Sequence, residues 1–181
     1  VKLGRLNAGN DFLASPLYGR YVNNGFDGNP IGIFFNVPFS AYPNSTWGAF
    51  MDVHPFAFLS MKFGVYNANS EIKENRFHGL NFTFESTEGV IWITEWAFLT
   101  GREEGLKGNY KTGFFYQTGD EPKFLGGKSN GDFSLYFLFD QMIYSFEKGT
   151  DRGITPFVSV LLAPKQNNLF PLFVNGGVVI E

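Results

Sequence analysis

The stretch VIWITEWAF, residues 90–98, alternates strictly between two sets of side chains. The first set is Val90, Trp92, Thr94, Trp96 and Phe98, and the second is Ile91, Ile93, Glu95 and Ala97. Successive side chains of a β-strand point to opposite faces, so this period of two predicts a strand. Glu95 stands in one set and both tryptophans stand in the other, which indicates that the two faces have different surroundings.

The same alternation continues in both directions along the chain. Predicted strands cover residues 46–54, 59–66, 79–84, 90–98, 109–117, 134–143, 153–163 and 170–180. This gives about eight strands of roughly 9–11 residues, the length of a tilted transmembrane β-strand. Helix signals are weak, because 22 Gly and 9 Pro are scattered throughout the sequence. The sequence therefore predicts an all-β fold of antiparallel strands.

Two connections between the predicted strands are long. Residues 118–131 form a Gly-rich connection, and residues 7–45 form a longer one that is rich in Asn, Gly and Pro. A loop of the second kind within a compact domain usually has a function. No inter-domain linker interrupts the pattern, so residues 1–181 are predicted to form a single domain. We expect the 7–45 connection to fold into the mouth of the barrel that the predicted strands would form.

Composition excludes several classes of protein. The chain has 181 residues and a formal charge of −3, so nucleic acid is not an expected partner. Aromatic residues make up 19% of it, which excludes disorder, yet the mean hydropathy is only −0.09. No apolar run approaches the ~20 residues of a membrane helix. Cysteine is absent, which excludes a disulfide scaffold.

The alternation fits two architectures. In a soluble sandwich the apolar face points inwards, whereas in a membrane barrel it meets lipid and the polar face lines a lumen. The membrane barrel is favoured, because several polar faces carry Gly, Asn, Thr and Lys beside Asp or Glu. Aromatic residues near strand ends also resemble the girdles found at membrane interfaces. These are Trp47, Tyr66, Phe98, Tyr110 and Tyr144.

No catalytic or metal centre is predicted. Residues 127–131, GKSNG, match the Gly-x-Ser-x-Gly nucleophile elbow, but a strand rather than a helix is predicted after them. Both histidines, His54 and His78, precede that motif, whereas the elbow requires a later one. Two isolated histidines are also too few for a metal site. We therefore expect no enzymatic activity, no cofactor and no bound metal.

Longer stretches resemble a known family. Residues 2–30, KLGRLNAGNDFLASPLYGRYVNNGFDGNP, and residues 36–55, NVPFSAYPNSTWGAFMDVHP, are similar to the carbohydrate-selective porins of the OprB family. The most specific parts are residues 40–48 and 140–142. Further stretches keep the order of that family: residues 59–68, 77–85, 105–119, 135–144 and 151–164.

The resemblance implies a sixteen-stranded barrel in the outer membrane of a Gram-negative-type bacterium, through which sugars diffuse passively. Only about half of those strands are present here and the usual aromatic C-terminal residue is missing, so we expect an internal fragment of a longer porin. The alternatives are a complete eight-stranded barrel, filled by side chains, and a β-sandwich that binds carbohydrate without transport. Expected partners are small glucose-like sugars and outer-membrane lipid, and a homo-oligomer is left open.

A passive pore needs polar side chains that face the lumen and no catalytic residue. Six side chains are predicted to point inwards: Arg5, Asp52, Lys62, Glu95, Lys111 and Asp140. Rings of this kind set selectivity electrostatically, although a ladder of opposite charges that only satisfies itself is the alternative. The resemblance implies arginines and acids at a constriction, for which Arg5 and Glu95 are the nearest matches. Four residues of the 7–45 connection are expected to line the narrowest part of the pore: Tyr18, Arg20, Tyr21 and Tyr42. The alternative is that this connection packs on the rim of the barrel.

Overall fold

One antiparallel sheet organises the chain. The computed structural model describes residues 1–21, 29–30, 32–37, 39–40, 44–68, 81–83, 87–101 and 105–181, and their strands number nine. The strands are β1 (Lys2–Leu6), β2 (Thr46–Phe56), β3 (Leu59–Asn67), β4 (Val90–Thr100), β5 (Gly108–Pro122), β6 (Lys128–Gln141), β7 (Tyr144–Ser145), β8 (Gly153–Leu162) and β9 (Leu172–Ile180).

Helical structure in this part of the chain is limited to the connection between β1 and β2. It comprises 3₁₀ turns at Ala8–Asn10 and Tyr18–Arg20 and the short helix α1 (Gly32–Asn36). The side chain of Asn7 accepts a hydrogen bond from the Asn10 amide and so caps the first turn. None of the helices in the described residues could span a bilayer.

Each long strand pairs with its neighbour in the sequence, in the order β1–β2–β3–β4–β5–β6–β8–β9, and the two-residue β7 also pairs with β8. Within the described residues β1 pairs only with β2, and β9 only with β8. The sheet is therefore open, and its first and last strands do not close a small barrel. It is also the single sheet of the described residues, so the β-sandwich alternative does not fit either.

The strand connections fall into two groups. The strand ends joined by connections 7–45, 68–89, 123–127 and 163–171 lie at one end of the sheet, which we call the loop end. The strand ends joined by connections 57–58, 101–107 and 142–152 lie at the other, which we call the turn end. Consecutive antiparallel strands reverse direction, so alternate connections return to the same end.

Two predicted elements differ from the structure. The connection predicted at 118–131 is instead the paired end of a long β5–β6 hairpin, with a turn at residues 123–127. Gly and Asn signal a turn but do not prevent pairing next to one. A strand is predicted at 79–84, but residues 81–83 lie outside the strands, and 79, 80 and 84 lie outside the described residues. The alternation of these six residues is that of a strand, but residues 81–83 do not pair with the sheet.

The two faces of the sheet differ in exposure. The inner face, which carries Phe50, Tyr66, Ile93, Phe115 and Tyr136, is buried. The outer face exposes large apolar side chains along the long strands from β2 onwards except β3, whose outer-face residues are only partly exposed. Examples are Met51, Val53, Trp92, Trp96, Phe98, Tyr110, Phe114, Phe133, Leu135, Phe139, Val158, Leu162, Val174 and Val178. This is the arrangement expected where one face meets lipid.

One residue of the predicted aromatic girdle is misplaced. Phe98, Tyr110 and Tyr144 are exposed, and Trp47 lies in the outer-face row of β2. Tyr66, however, is 1% exposed and belongs to the inner face. Its ring covers two glycines, Gly48 and Gly64, at positions where a Cβ atom would come within 2.6 Å of it. The glycines thus create room for an aromatic ring on the inner face, which the alternation does not reveal.

The described parts of the 7–45 connection cover the inner face. Phe12 packs edge-on against Phe50 and Tyr66, with ring centroids 5.5 and 6.2 Å apart. Further along, Ile33 is fully buried, and Asn36 exchanges hydrogen bonds with the backbone of Phe170. The hydrophobic core therefore lies between the sheet and this connection.

Candidate functional site

The candidate site is the inner face together with residues 7–21, which we call the inner segment. This segment lies across strands β2 to β6 and carries two fully buried apolar side chains, Phe12 and Leu13. It crosses the face that contains most of the predicted lumen residues. What holds it there is a set of charged side chains.

Glu95 is the centre of this set. It is 1% exposed and lies midway along β4. Its Oε2 accepts hydrogen bonds from the Leu13 amide at 2.9 Å and from the Tyr136 hydroxyl at 3.1 Å. Its Oε1 lies 3.2 Å from the Lys62 ammonium. A buried carboxylate is tolerated when hydrogen bonds and a countercharge compensate its desolvation, and here the inner segment supplies part of that compensation.

The Tyr136 hydroxyl reaches Glu95 across an intervening strand. Gly113 of β5 pairs with Glu95 on one side and with Tyr136 on the other. A Cβ atom at position 113 would lie 2.0 Å from the Tyr136 ring, so only glycine leaves space for it. The tyrosine thereby crosses the width of one strand and fixes the carboxylate.

Two lysines hold the backbone of the inner segment. Lys62 donates to the Asp11 carbonyl at 2.6 Å, and Lys111 donates to the Ala14 carbonyl at 2.7 Å. Lys2 of β1 adds an ion pair with the Asp11 carboxylate at 2.5 Å and lies over the Phe50 ring. Charge-assisted hydrogen bonds are about twice as strong as neutral ones. Four charged side chains of the sheet thus fix residues 11–14 in place.

The far end of the inner segment borders a polar cavity of about 180 Å³. Arg20 and Asp140, both predicted site residues, line it together with Lys107, Asp151 and Glu181. Arg20 pairs with Glu181 at 2.5 Å, and Lys107 pairs with Asp151 at 2.6 Å. Asp140 accepts a hydrogen bond from the Asn109 side chain at 2.6 Å. Both signs of charge, next to apolar wall residues, suit a solute that carries many hydroxyl groups.

Tyr18 lies behind this cavity, in the second 3₁₀ turn. It is 2% exposed and packs edge-on against Phe157 with ring centroids 5.8 Å apart. Burial raises the pKa of the Tyr18 hydroxyl, although its hydrogen bond with Ser159 opposes that change. The hydroxyl is therefore neutral over the physiological pH range and acts as a structural hydrogen-bonding group.

The structure places the predicted site residues as follows. Lys62 and Glu95 form one ion pair, and Asp52 is next to Lys62 in the same row, where it accepts from Ser60 and contacts His54 at 3.1 Å. Lys111 contacts the inner segment, and Arg20 and Asp140 share the cavity. Tyr42 lies outside the described residues.

The structure corrects the predicted orientation of Arg5. The register pairs it with Trp47, in the outer-face row, whereas Lys2 pairs with Phe50 of the inner face. The Arg5 guanidinium donates to the Ser45 carbonyl at 2.7 Å. The inward orientation predicted for Arg5 is therefore wrong, because alternation within a strand of five residues does not say which set faces inwards. The cation that β1 contributes to the inner face is Lys2.

Sequence reasoning missed several residues of this site. Lys2 and Asp11 pair to hold the inner segment, and Tyr136 donates to Glu95. Lys107, Asp151 and Glu181 complete the cavity. Tyr136 could have been predicted, because it lies four residues before Asp140 on β6 and therefore points to the same face. The others come from a strand edge, turns and a terminus, where no periodicity exists. No cluster of three or more His, Cys, Asp or Glu side chains able to hold a metal occurs among the described residues.

Comparison with known proteins connects this geometry with a family. The model of the carbohydrate-selective porins, OprB family, matches residues 1–181, the whole chain. The chain belongs to the OprB family of carbohydrate-selective porins. This confirms the resemblance found in the sequence. The members of this family are described as porins selective for carbohydrates.

A solved structure of OprB from Pseudomonas putida, determined at high pH, has the same fold with a TM-score of 0.83. The sequences are 19% identical, and the match covers 97% of this chain. It covers 44% of the Pseudomonas putida chain, so this chain spans less than half the length of that porin. A comparison with curated protein sequences gave no match. The prediction of an antiparallel porin-type sheet with only part of the strands of such a barrel is confirmed.

Proposed function

We propose that this chain forms part of the wall of a passive pore in the outer membrane of a Gram-negative-type bacterium, and that small sugars diffuse through it. The observation that carries the proposal is the division of the sheet into an exposed apolar outer face and an inner face with buried charges. The outer face would contact outer-membrane lipid, and the inner face would line the lumen. The OprB family model, which matches all residues, supports the same function.

In this proposal the inner segment narrows the lumen. Its backbone is held against the wall by Lys62, Glu95 and Lys111, so these three residues act mainly on the position of the segment. A fixed segment keeps the aperture constant from one solute to the next. The predicted charge ladder is therefore a set of anchors as well as a lining.

Sugar hydroxyl groups would bind at the polar cavity beside the inner segment. Arg20 offers several N–H donors, and Asp140 offers carboxylate acceptors. Their existing partners, Glu181 and Asn109, keep both groups oriented. Weak exchangeable hydrogen bonds of this kind allow a solute to enter and also to leave, as diffusion requires.

Liposome swelling tests the proposal. The full-length protein is reconstituted, and swelling in glucose is compared with swelling in an uncharged amino acid of similar size. We expect faster entry of glucose than of the amino acid. Equal rates would leave a general pore without sugar preference, and no swelling would contradict a pore altogether.

A matched pair of variants localises the effect. Arg20→Gln removes the cavity cation, whereas Arg152→Gln removes an arginine that pairs with Glu147 at 3.5 Å in a connection of the turn end. Loss of one hydrogen bond should lower the glucose preference by roughly two- to tenfold in Arg20→Gln only. An equal loss in both variants would show that net charge rather than the cavity determines the preference.

A further inference from the structure

Three buried side-chain oxygens at the loop end have no hydrogen-bond partner. They are the Oε1 of Gln117, the Oδ2 of Asp132 and the Oδ1 of Asn168, on residues that are 3%, 3% and 1% exposed. Gln117 pairs with Asp132 in the sheet, and the Asn168 amide donates to the other Asp132 oxygen at 3.1 Å. Buried polar atoms almost always have a partner, so three unpartnered acceptors on adjoining side chains call for an explanation.

The donors of this cluster are already engaged. The Asn168 amide nitrogen also bonds to the Pro164 carbonyl at 2.9 Å. The Gln117 amide nitrogen donates to the Glu121 carboxylate at 2.5 Å. An irregularity in the β5–β6 pairing between Gln117 and Asp120 precedes Glu121, and such bulges redirect the side chains that follow. The three oxygens without a hydrogen-bond partner therefore lie in a cluster that also contains the carboxylates of Glu121 and Asp132.

No positive side chain in the described residues compensates these carboxylates. Neither Glu121 nor Asp132 forms an ion pair there, and the nearby Lys128 pairs instead with Asp120 at 3.4 Å. An uncompensated buried carboxylate is strongly unfavourable unless a proton or a cation neutralises it. Carboxylate oxygens combined with amide carbonyl oxygens are the ligand set that Ca²⁺ prefers.

We propose that Gln117, Glu121, Asp132 and Asn168 form a binding site for a divalent cation of the Ca²⁺ type. The site would join the β5–β6 hairpin to the connection between β8 and β9. These two elements already touch, because the Phe124 amide donates to the Gln166 carbonyl at 2.9 Å and Asn167 donates to Ser129 at 3.3 Å. Glu121 is partly exposed and gives the cation a route from solvent.

Heat-induced unfolding of the full-length protein in detergent tests this site, with Ca²⁺ alone as the probe and a chelator as the reference. We expect Ca²⁺ to raise the unfolding temperature and KCl at equal ionic strength not to do so. Asp132→Asn should abolish the rise. The matched control is Asp120→Asn, an exposed carboxylate of the same hairpin that should leave the rise unchanged.

A gain-of-charge variant separates a cation site from a proton site. Asn168→Asp adds a carboxylate, so we expect a lower unfolding temperature in chelator, a larger rise with Ca²⁺ and binding at least about tenfold tighter. If Asn168→Asp is destabilised to the same extent with and without Ca²⁺, the cluster is held by protons and the proposal fails. An equal Ca²⁺ response in wild type and Asp132→Asn would also overturn it, because the cation would then act elsewhere.

Discussion

Replacing Glu95 with alanine should release the inner segment from the sheet. The substitution removes the acceptor of the Leu13 amide and of the Tyr136 hydroxyl, and also the counter-ion of Lys62. Leu13 is fully buried, so its amide cannot bond to water while the segment stays in place. The segment must either keep an unsatisfied donor or move away.

The magnitude follows from these contacts. An orphaned buried donor costs about 1–3 kcal/mol. Breaking a buried ion pair costs about 3–5 kcal/mol, but less here, because the Lys62 side chain is 20% exposed and keeps its bond to the Asp11 carbonyl. We expect docking of the segment to weaken by about 3 kcal/mol, which corresponds to roughly 150-fold faster amide exchange.

Hydrogen–deuterium exchange on the full-length protein measures this directly at the amides of residues 11–14. Glu95→Gln keeps an acceptor for the Leu13 amide and should give a smaller increase. Asp52→Asn neutralises the neighbouring carboxylate of the same row, which contacts Ser60 and His54 rather than the inner segment, and should leave exchange unchanged. Unchanged exchange in Glu95→Ala would refute the view that this carboxylate holds the segment.

Three further predictions follow from the same structure. Gly113→Ala places a Cβ atom 2.0 Å from the Tyr136 ring, so it should lower stability by about 1–3 kcal/mol, as measured by denaturant unfolding. Gly19→Ala, at an open position without a positive φ, should cost less. Trp96→Arg on the outer face should make folding into vesicles less favourable by about 2–4 kcal/mol, whereas Trp96→Leu should change the free energy of this folding little. A soluble sheet would tolerate both changes. Lys2→Met removes an ion pair whose lysine side chain is 52% exposed, so it should change the amide-exchange rate of the inner segment by no more than about fivefold. A change as large as that of Glu95→Ala would contradict this ranking of the contacts that hold the segment.

Much of the sheet was predictable because alternation is a local property. The positions of Lys62, Glu95 and Lys111 on one face follow from parity within each strand and from sequential pairing. Short elements defeat this reasoning. In β1 only five residues alternate, and the choice of the inward set failed for Arg5.

The role of the inner segment was only partly predictable. Its Asn and Gly content marks an irregular chain, and the prediction that it folds inwards rests on length. Which atoms it would meet depends on contacts between distant parts of the sequence, such as the Leu13 amide and Glu95. The Tyr136–Gly113 arrangement likewise needs a register that no single strand encodes. Sequence patterns thus describe the wall well and the contacts that cross the interior poorly.

The sequential strand order has a consequence for how the molecule assembles. Every long strand pairs with its neighbour in the strand sequence, and except between β1 and β2 and between β3 and β4 the connections are short. Hairpins can therefore add one after another with small loop-closure entropy. The contacts of the 7–45 connection are different, since Leu13 meets Glu95, Asn36 meets Phe170 and Tyr21 meets Val178, 82, 134 and 157 residues apart. The first of these bonds requires β4, and the other two become possible only after β8 and β9 have formed. We therefore expect the sheet to form first and the contacts of the 7–45 connection to be completed last, through an intermediate whose inner face is still open to water.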